Sequence, residues 1–318
     1  MRIGSAAVEL RQIEYFIRVA ELGSFTRASI ALDVAQPALS RQVRLLEQEL
    51  RQTLLLRNGR GVTTTEAGRI LLDQGRGVLH QLSRLRDELA RLNHPVAGSV
   101  ALGLPPSLSK QLAVPLVRLA AREMPDLRLS LSENLTTALE QALASGQLDL
   151  ALLYNPTPRP DIDNEFLREE ALYVVTRRVA GTCPRTVLLP ELAERPLVIP
   201  RRPNALRMLV EDVLAQERLA PRIALEADGV DTLLGLVANG LGDAVLSASA
   251  IAGITEECYT FNSLGEPPLR TRIHMAWSAQ RPQSQAQRML MRIIRSQLDD
   301  LLDPLSQLAG TRPPDSSP

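Results

Sequence analysis

Polar and basic side chains that could form directed hydrogen bonds recur on one face of residues 36–50. At about 100° per residue in a helix, that face carries Pro37, Ser40, Arg41, Arg44 and Gln48. The opposite face is an apolar stripe, which predicts burial of Leu39, Val43, Leu46 and Leu50. Gln36 and Pro37 would lie at the exposed tip, because proline loses nothing in the first helical turn. This face could read a polar partner, although a helix taken alone more often exposes such a face to solvent.

The elements around this helix predict a winged helix-turn-helix over residues 1–66. An earlier helical face is formed by Leu10, Ile13, Phe16, Ile17 and Ala20. Ser24 can cap a second short helix that carries Phe25, Ala28 and Leu32. A tight turn at 33–35 joins it to the third helix. The stretch "LLLRNGRGVTTTEAG" then reads as a hairpin with its turn at residues 58–59.

A long linker helix is predicted over residues 67–93. Apolar or small residues alternate by four and three positions, as in a coiled-coil seam, at Leu71, Gly75, Val78, Leu82, Leu85, Leu89 and Leu92. Packing within one chain is the alternative, but a long helix with one narrow stripe favours pairing with a second chain. The stretch "NHPVAGS" breaks the helix and predicts a hinge at 94–98.

Alternating strand and helix patterns from residue 99 predict an α/β domain that extends to residue 310. "VALGL", "LRLSLSE" and "QLDLALLY" read as strands separated by helices, and a second set begins at "ALYVVT". This alternation predicts a parallel, doubly wound sheet. Ligands of such sheets bind at the carboxyl ends of the strands. Polar residues at predicted strand ends and helix starts are therefore candidate ligand contacts, with capping and loop solvation as the alternative: Ser107, Ser109, Thr136, Tyr154, Asn155, Arg202, Asn204 and Ala205.

Composition and charge limit the classes of function that the protein can have. The 318 residues carry no net charge. The first 98 hold 14 basic and 10 acidic residues, net +4, which leaves net −4 for the remainder. A mildly basic N-terminal domain suits nucleic acid. Apolar runs reach neither a membrane span nor a secretory signal, so we expect a cytoplasmic protein without a membrane partner. Two cysteines and three scattered histidines predict neither a metal site nor a disulfide framework, and no cofactor is expected.

Candidate catalytic features are weak. Gly240 and Gly242 end a predicted helix instead of opening one, against a dinucleotide fingerprint. Asp149 has no second carboxylate at acid–base spacing, and His274 lies within a strand pattern. An enzyme on the α/β domain is therefore disfavoured. A solute-binding protein is the other alternative, and the helical N-terminal domain argues against it.

The quoted motifs carry a family resemblance. "ELRQIEYFIRVAELGSFTRAS", "VAQPALSRQVRLLEQEL" and "LLLRNGRGVTTTEAG" resemble the DNA-binding domain of LysR-type transcriptional regulators. "GQLDLALL" and "LVANGLGDAVL" resemble the family's two-lobed effector domain, so the likeness spans roughly residues 8–305. "VAQPALS", "GVTTTEAG" and "LDLALLY" resemble the nitrogen-assimilation-control subgroup in particular.

The resemblance implies a fold and a function. It implies a winged helix-turn-helix, a linker helix and a periplasmic-binding-protein-like effector domain at 99–310, with lobe I at 99–170 and 271–310 and lobe II at 171–270. A homodimer or homotetramer would read double-stranded operator DNA, and a small effector between the lobes would modulate it. RNA polymerase is a candidate further partner.

Site residues are also implied by the resemblance. Residues matching Gln36, Pro37, Ser40 and Arg41 enter the major groove, with Arg44 on the same polar face. Those matching Ser24, Thr26 and Arg27 approach phosphates. The wing, residues 57–65, contributes Arg57, Arg60 and Thr65. The chain departs from the family pattern by Ala35 at the recognition-helix cap, by Leu55 just before the wing, by Thr64 in the wing, and by Tyr154, where several aromatic-acid-sensing members carry a cation.

Overall fold

The computed structural model describes residues 8–58, 61–90, 98–255 and 257–306 of the chain. Backbone contacts divide the chain into two compact units, one formed by 1–93 with 144–147 and one by 94–143 with 148–318. The first unit contains, in chain order, α1 (Leu10–Leu22), α2 (Phe25–Leu32), α3 (Gln36–Leu50), β1 (Leu55–Asn58), β2 (Gly61–Thr64) and α4 (Glu66–Ala90). The predicted winged helix-turn-helix is confirmed.

Local backbone conformations set the turns between these helices. Gly23 and Asp33 follow α1 and α2 in the left-handed region, each with φ near +55°: 59° and 52° respectively. These residues end one helix and redirect the chain into the next. Ser24 caps α2, accepting from the Arg27 N–H at 3.3 Å. Ala35 stands at the corresponding position of α3 and makes no side-chain cap bond.

The core of the first unit is built by the predicted apolar faces. Phe16, Leu39 and Leu46 are fully buried, and the cluster around them contains the buried residues Ile17, Val19, Phe25, Ala28, Val43 and Leu54. Leu50, predicted to belong to this stripe, is instead 37% exposed. It is the last residue of α3, and it does not belong to the buried cluster of the first unit.

The seam of α4 divides into two parts. Leu71 packs against the core of the first unit, and Gly75 lies so close to α1 that an added Cβ would stand 2.9 Å from a methyl of Ile13. The predicted alternative, packing within one chain, is therefore correct for this first part. Farther along, Val78, Leu85 and Leu89 are 44%, 53% and 55% exposed. Leu92 lies outside the described residues.

From residue 98 the chain forms an α/β architecture, and Gly98, predicted as hinge, already begins its first strand. The other predicted hinge positions, 94–97, lie outside the described residues. The elements are β3 (Gly98–Leu104), α5 (Pro106–Glu123), β4 (Leu127–Glu133), α6 (Thr136–Ser145), β5 (Leu150–Tyr154), β6 (Ile162–Arg177), β7 (Thr186–Val187), α7 (Leu189–Glu194), β8 (Leu197–Ile199), α8 (Ala205–Gln216), β9 (Ile223–Glu226), α9 (Val230–Ala238), β10 (Ala244–Ser247), α10 (Ala248–Ile251), β11 (Tyr259–Leu264), β12 (Arg270–Ser278) and α11 (Gln285–Ser306).

The sheets are mixed, which corrects the predicted uniformly parallel arrangement. β3 pairs in parallel with β4 and β5, whereas β12 runs antiparallel to both β5 and β6. β6 is long and changes partners along its length: residues 162–171 pair with β12, and residues 172–177 pair with β10 and β11. The two-lobed α/β fold is confirmed, with β6 and β12 contributing strands that the alternating pattern did not order correctly.

Candidate DNA-binding face and ligand cleft

The polar face of α3 is exposed in the first unit. Gln36, Pro37, Arg41 and Arg44 are exposed and Ser40 is half-buried. Within the described part of the chain, neither the Arg41 nor the Arg44 side chain makes a hydrogen bond or an ion pair, so both guanidinium groups are available to a partner. Their donors match the acceptors of phosphates and of guanine edges.

Contacts from α2 and the wing fix the start of α3. The Thr26 hydroxyl donates to Gln36 Oε1 at 3.3 Å. Arg57 Nη2 donates to Ser40 Oγ at 2.9 Å, and the Arg57 guanidinium lies over the Phe25 ring at 4.3 Å from its centroid. The structure thus gathers predicted residues of α2, α3 and β1 around the tip of α3.

Three other predicted DNA contacts have local structural partners. Ser24 is the α2 cap described above. Arg27 Nη2 donates to the Leu22 carbonyl. The Thr65 hydroxyl donates to the Thr53 carbonyl at 2.7 Å and accepts from the Gly68 N–H at 3.0 Å, which holds the start of α4. Arg60 lies outside the described residues.

Glu47 has a structural role that the sequence pattern did not indicate. Its Oε1 accepts from the backbone N–H groups of Leu54 and Leu55, at 2.8 and 3.1 Å. Both leucines are buried, so few other acceptors can reach these donors. Glu47 therefore ties the end of α3 to the start of the wing. Sequence spacing alone offers no signal for this contact, which depends on the path of the chain after α3.

Glu47→Ala is expected to weaken this local structure by about 1–3 kcal/mol, because two poorly hydrated N–H groups lose their acceptor. Gln48→Ala, on the exposed neighbouring position, is the matched control and should change stability by less than about 0.5 kcal/mol. Hydrogen exchange of the full-length protein measures the protection of the Leu54 and Leu55 amides directly. Equal protection in both variants would contradict the role of Glu47.

A cavity of about 680 Å³, including the part open to solvent, lies at the carboxyl ends of strands in the second unit. It is placed where an open α/β sheet binds ligands. Its wall is formed by Pro105, Pro106, Ser107, Leu135, Thr136, Tyr154, Pro200, Asn204, Ala205, Leu206, Asp228, Gly229, Val230, Leu233, Val245, Leu246 and Ala250. Five of the predicted ligand contacts are among them: Ser107, Thr136, Tyr154, Asn204 and Ala205.

The remaining three predicted contacts are not part of the cavity wall. Ser109 lies two positions along α5 from Ser107, roughly 200° around the helix. Asn155 joins β5 to β12: its amide donates to Thr271 Oγ1 at 2.9 Å and its Oδ1 accepts from the Arg272 N–H at 2.9 Å. Arg202 is exposed and pairs with Glu211.

Tyr154 is the centre of a buried polar network beside the cavity. Its hydroxyl donates to Glu170 Oε1 at 2.5 Å and lies 3.1 Å from Ser107 Oγ. Glu170 Oε2 accepts from the N–H and the hydroxyl of Ser249, at 2.9 and 2.6 Å. Burial, and secondly the Glu170 carboxylate, raise the pKa of Tyr154 well above its ordinary value. Glu170 was not predicted, because it lies in the charged run "REEA", where no strand pattern is visible.

The residues considered as catalytic candidates have local structural roles. Asp149 is buried and its Oδ2 accepts from the Ala101 N–H at 2.9 Å. His274 Nδ1 lies 2.9 Å from Asn164 Oδ1, and Gly240 follows the end of α9 with φ 71°. Among the described residues, no group of three or more His, Cys, Asp or Glu side chains could hold a metal ion. None of the described helices combines the length and the apolarity that a membrane crossing requires.

Comparisons with known proteins agree with these two units. Residues 10–69 match the family described as bacterial regulatory helix-turn-helix protein, lysR family, and residues 93–299 match the LysR substrate binding domain. The nitrogen assimilation regulatory protein nac of Klebsiella aerogenes is 38% identical over 76% of this chain and 79% of its own length. The protein of that name in Escherichia coli K12 is 34% identical over the same shares. These relatives confirm the predicted likeness to that subgroup.

Solved structures support the fold. The crystal structure of CbnR, a LysR family transcriptional regulator, superposes with a TM-score of 0.72 at 23% identity, covering 91% of this chain and 98% of that one. The matched families are regulators and not enzymes, as the sequence predicted. The effector-binding domain follows the helix-turn-helix domain in the order of the family models. This protein therefore belongs to the LysR family of DNA-binding transcriptional regulators.

Proposed function

We propose that the N-terminal tip of α3 reads operator bases through Gln36, Pro37, Ser40 and Arg41. The observation that carries this proposal is their convergence on one exposed face beside two guanidinium groups, Arg41 and Arg44, without protein partners among the described residues. Hydrogen bonds to base edges specify sequence, whereas contacts to phosphates position the protein. Arg41 is nearer the tip than Arg44 and is assigned to bases, and Arg44 is assigned to phosphates.

Arg57 of the wing and Thr26 of α2 position two of these residues. Arg57 donates to Ser40 Oγ at 2.9 Å, so the Ser40 hydroxyl proton is left to donate to a base acceptor. Arg57 thereby acts as a positioning residue for Ser40. Thr26 orients Gln36 in the same way, by donating to its Oε1, which leaves the Gln36 amide N–H groups to face the groove. Arg27, Arg60 and Thr65 complete the proposed DNA-facing set, with Ser24 holding the α2 start.

Arg41→Ala is expected to reduce the preference for the specific over the random duplex by roughly 1–3 kcal/mol, the value of one bidentate base contact. The specific duplex is one selected by the full-length protein from random sequences, and binding is measured by fluorescence anisotropy at fixed salt. Arg51→Ala, at the opposite end of α3, serves as the matched arginine control and should leave the preference unchanged.

Two outcomes would contradict this assignment. An equal loss of affinity on both duplexes would make Arg41 a phosphate contact, since such contacts carry no sequence information. Failure of the full-length protein to select any sequence over random DNA at moderate salt would contradict operator reading altogether.

Two chains are proposed to present two recognition helices. The exposed apolar part of α4, with Val78, Leu85 and Leu89, is suited to pair with the same surface of a second chain. A two-fold dimer reads half-sites separated by whole turns of DNA. Because its target is DNA, we place the protein in the cytoplasm. The names of its relatives make promoters of nitrogen metabolism the first place to search for its operators.

We assign residues 1–66 to DNA binding, 67–93 to the linker helix, 94–98 to the hinge, whose last residue Gly98 is also the first of β3, and 99–310 to the effector-binding domain. Within the latter we assign 99–170 and 271–310 to lobe I and 171–270 to lobe II. The exchange of β6 partners after residue 171 supports that division; residues 307–310 lie outside the described part of the chain. The cavity between these lobes is the proposed effector site, with Ser107, Thr136, Tyr154, Asn204 and Ala205 in its wall.

A further inference from the structure

The wall of the cavity offers no charged group to an anionic ligand. Prolines, leucines, valines and alanines supply most of it, and Asp228 is its one charged side chain. The Asp228 carboxylate is occupied: it accepts from the Arg201 N–H at 3.1 Å and Arg201 Nε at 2.8 Å, and pairs with Nη2. A charge buried against such a wall without a partner carries a large desolvation penalty.

The cations near the cavity are already paired. Arg201 binds Asp228, and Arg202 binds Glu211. Lys110 Nζ lies 3.8 Å from the carboxylate of Asp231, in the first turn of α9. Arg207, behind the wall, pairs with Glu211 and Glu226. A carboxylate ligand would therefore have to share its counter-ion with an acidic side chain that already neutralises it.

The donor and acceptor roles within the Tyr154 network are fixed, and they determine which ligand groups Ser107 can bind. A hydroxyl has one proton, and that of Tyr154 is donated to Glu170 at 2.5 Å. In the 3.1 Å contact between Ser107 and Tyr154, Ser107 must therefore be the donor. Its oxygen then faces the cavity with lone pairs only, so it can accept from a ligand O–H or N–H.

Glu170 strengthens this selection. It accepts three hydrogen bonds, from Tyr154 and from the N–H and hydroxyl of Ser249, the pattern of an ionised carboxylate. It is 5% exposed, and a single hydroxyl separates it from Ser107. An anion at Ser107 would meet this buried charge at short range, where solvent screening is weak.

A donor to the ligand is provided by Asn204. Its Oδ1 accepts from the N–H groups of Leu206 and Arg207, at 3.0 and 3.1 Å, and so caps α8. This cap fixes the amide, and its Nδ2 has no partner among the described residues. Asn204 is part of the cavity wall, so it can donate to a carbonyl, ether or hydroxyl oxygen.

We propose that the cavity binds an uncharged, mostly apolar molecule that donates to Ser107 and accepts from Asn204, and that it rejects carboxylates. This inference rests on the proposed function in taking the cavity as the effector site. It adds the chemical class of the ligand.

Isothermal titration calorimetry of the full-length protein with 2-naphthol and 2-naphthoate tests the proposal. The two probes share a ring system and differ in charge at neutral pH. We expect 2-naphthol to bind at least tenfold more tightly. Ser107→Ala should weaken 2-naphthol binding by roughly three- to tenfold, the range of one hydrogen bond. Ser109→Ala, on the same helix but outside the wall, should leave it unchanged.

A variant that fills the cavity identifies where the probe binds. Ala205→Trp should abolish binding of 2-naphthol. Tighter or equal binding of 2-naphthoate, no binding of either probe, or 2-naphthol binding that survives Ala205→Trp would each overturn the proposal. Because this titration contains no DNA, its failure is distinct from failure of the selection and anisotropy experiment on operator reading. A chain that selects DNA but binds neither probe would keep its regulatory assignment and lose this ligand class.

Discussion

Leu85→Arg is expected to abolish the proposed pairing of two full-length chains through α4 and to weaken binding to a duplex with two half-sites by roughly 100-fold or more, through loss of bivalency. Leu85 is 53% exposed within one chain, so the substitution removes no part of the core of the first unit. In a pair of α4 helices, each new guanidinium group would be placed in an apolar seam, where unpaired charge is strongly unfavourable.

The exposed leucines of α4 are the reason for this expectation. Val78, Leu85 and Leu89 fall within about 40° of one another around the helix, and each is between 44% and 55% exposed. A contiguous apolar stripe on a long helix is the usual surface of a coiled-coil partner. A second copy of α4 would cover it with side chains of the same kind.

Ser83→Arg is the matched control for this experiment. It introduces the same charge two residues away, roughly 160° around the helix from Leu85, on an exposed position. Ser83→Arg should therefore remain dimeric and should retain its affinity for both half-sites. Analytical ultracentrifugation gives the oligomeric state, and anisotropy with one-site and two-site duplexes gives the bivalent gain. A dimeric Leu85→Arg protein, or a monomeric Ser83→Arg protein, would contradict pairing through this stripe.

The first unit was largely predictable because its signals are local. The apolar faces of α1, α2 and α3, the Ser24 cap and the proline in the first turn of α3 each specify an element within a few residues. The division of the α4 seam was not predictable in this way. Leu71 and Leu85 occupy equivalent positions of one repeat, but only Leu71 packs on the core of its own chain. That difference depends on where α1 lies, which periodicity does not encode.

The strands of the second unit could be predicted from the sequence pattern only in part. β6 was predicted only from residue 171, because "IDNEFLREE" reads as a charged loop. In the structure it is a strand paired with β12 over residues 162–171. Hydrogen bonds between strands hold it there, and its exposed positions tolerate charge. Since the alternation rule assumes crossovers between parallel strands, it could not anticipate the antiparallel β12.

The position of the cavity could be predicted from the sequence, but only some of the residues in its wall could. Topology places Ser107, Thr136, Tyr154, Asn204 and Ala205 at strand ends, and all five line the cavity. Topology does not say which way a side chain points, so Ser109 and Asn155 were included on position alone. Glu170 was missed because its partners, Tyr154 and Ser249, are distant in sequence and meet it only in the folded chain.

Glu170→Ala is expected to destabilise the second unit by about 3–5 kcal/mol, because three buried donors lose this acceptor and only the Tyr154 hydroxyl has another one nearby, Ser107 Oγ at 3.1 Å. The three donors are the Tyr154 hydroxyl and the N–H and hydroxyl of Ser249. Tyr154 and Ser249 are each 4% exposed, so bulk water cannot readily take the place of the missing carboxylate. Glu170→Gln keeps the shape and one acceptor oxygen, so a smaller loss of about 1–3 kcal/mol is expected.

Glu169→Ala separates the effect of this network from that of removing a carboxylate from β6. Glu169 is the adjacent residue, and it pairs with the exposed Arg272 at 3.1 Å. Exposed ion pairs contribute at most about 1 kcal/mol, so its loss should be small. Urea unfolding of the full-length protein followed by fluorescence of Trp277, the one tryptophan of the chain, reports on the unit that contains Glu170. Equal shifts for Glu169→Ala and Glu170→Ala would show that the network beside the cavity does not stabilise this unit beyond an ordinary surface ion pair.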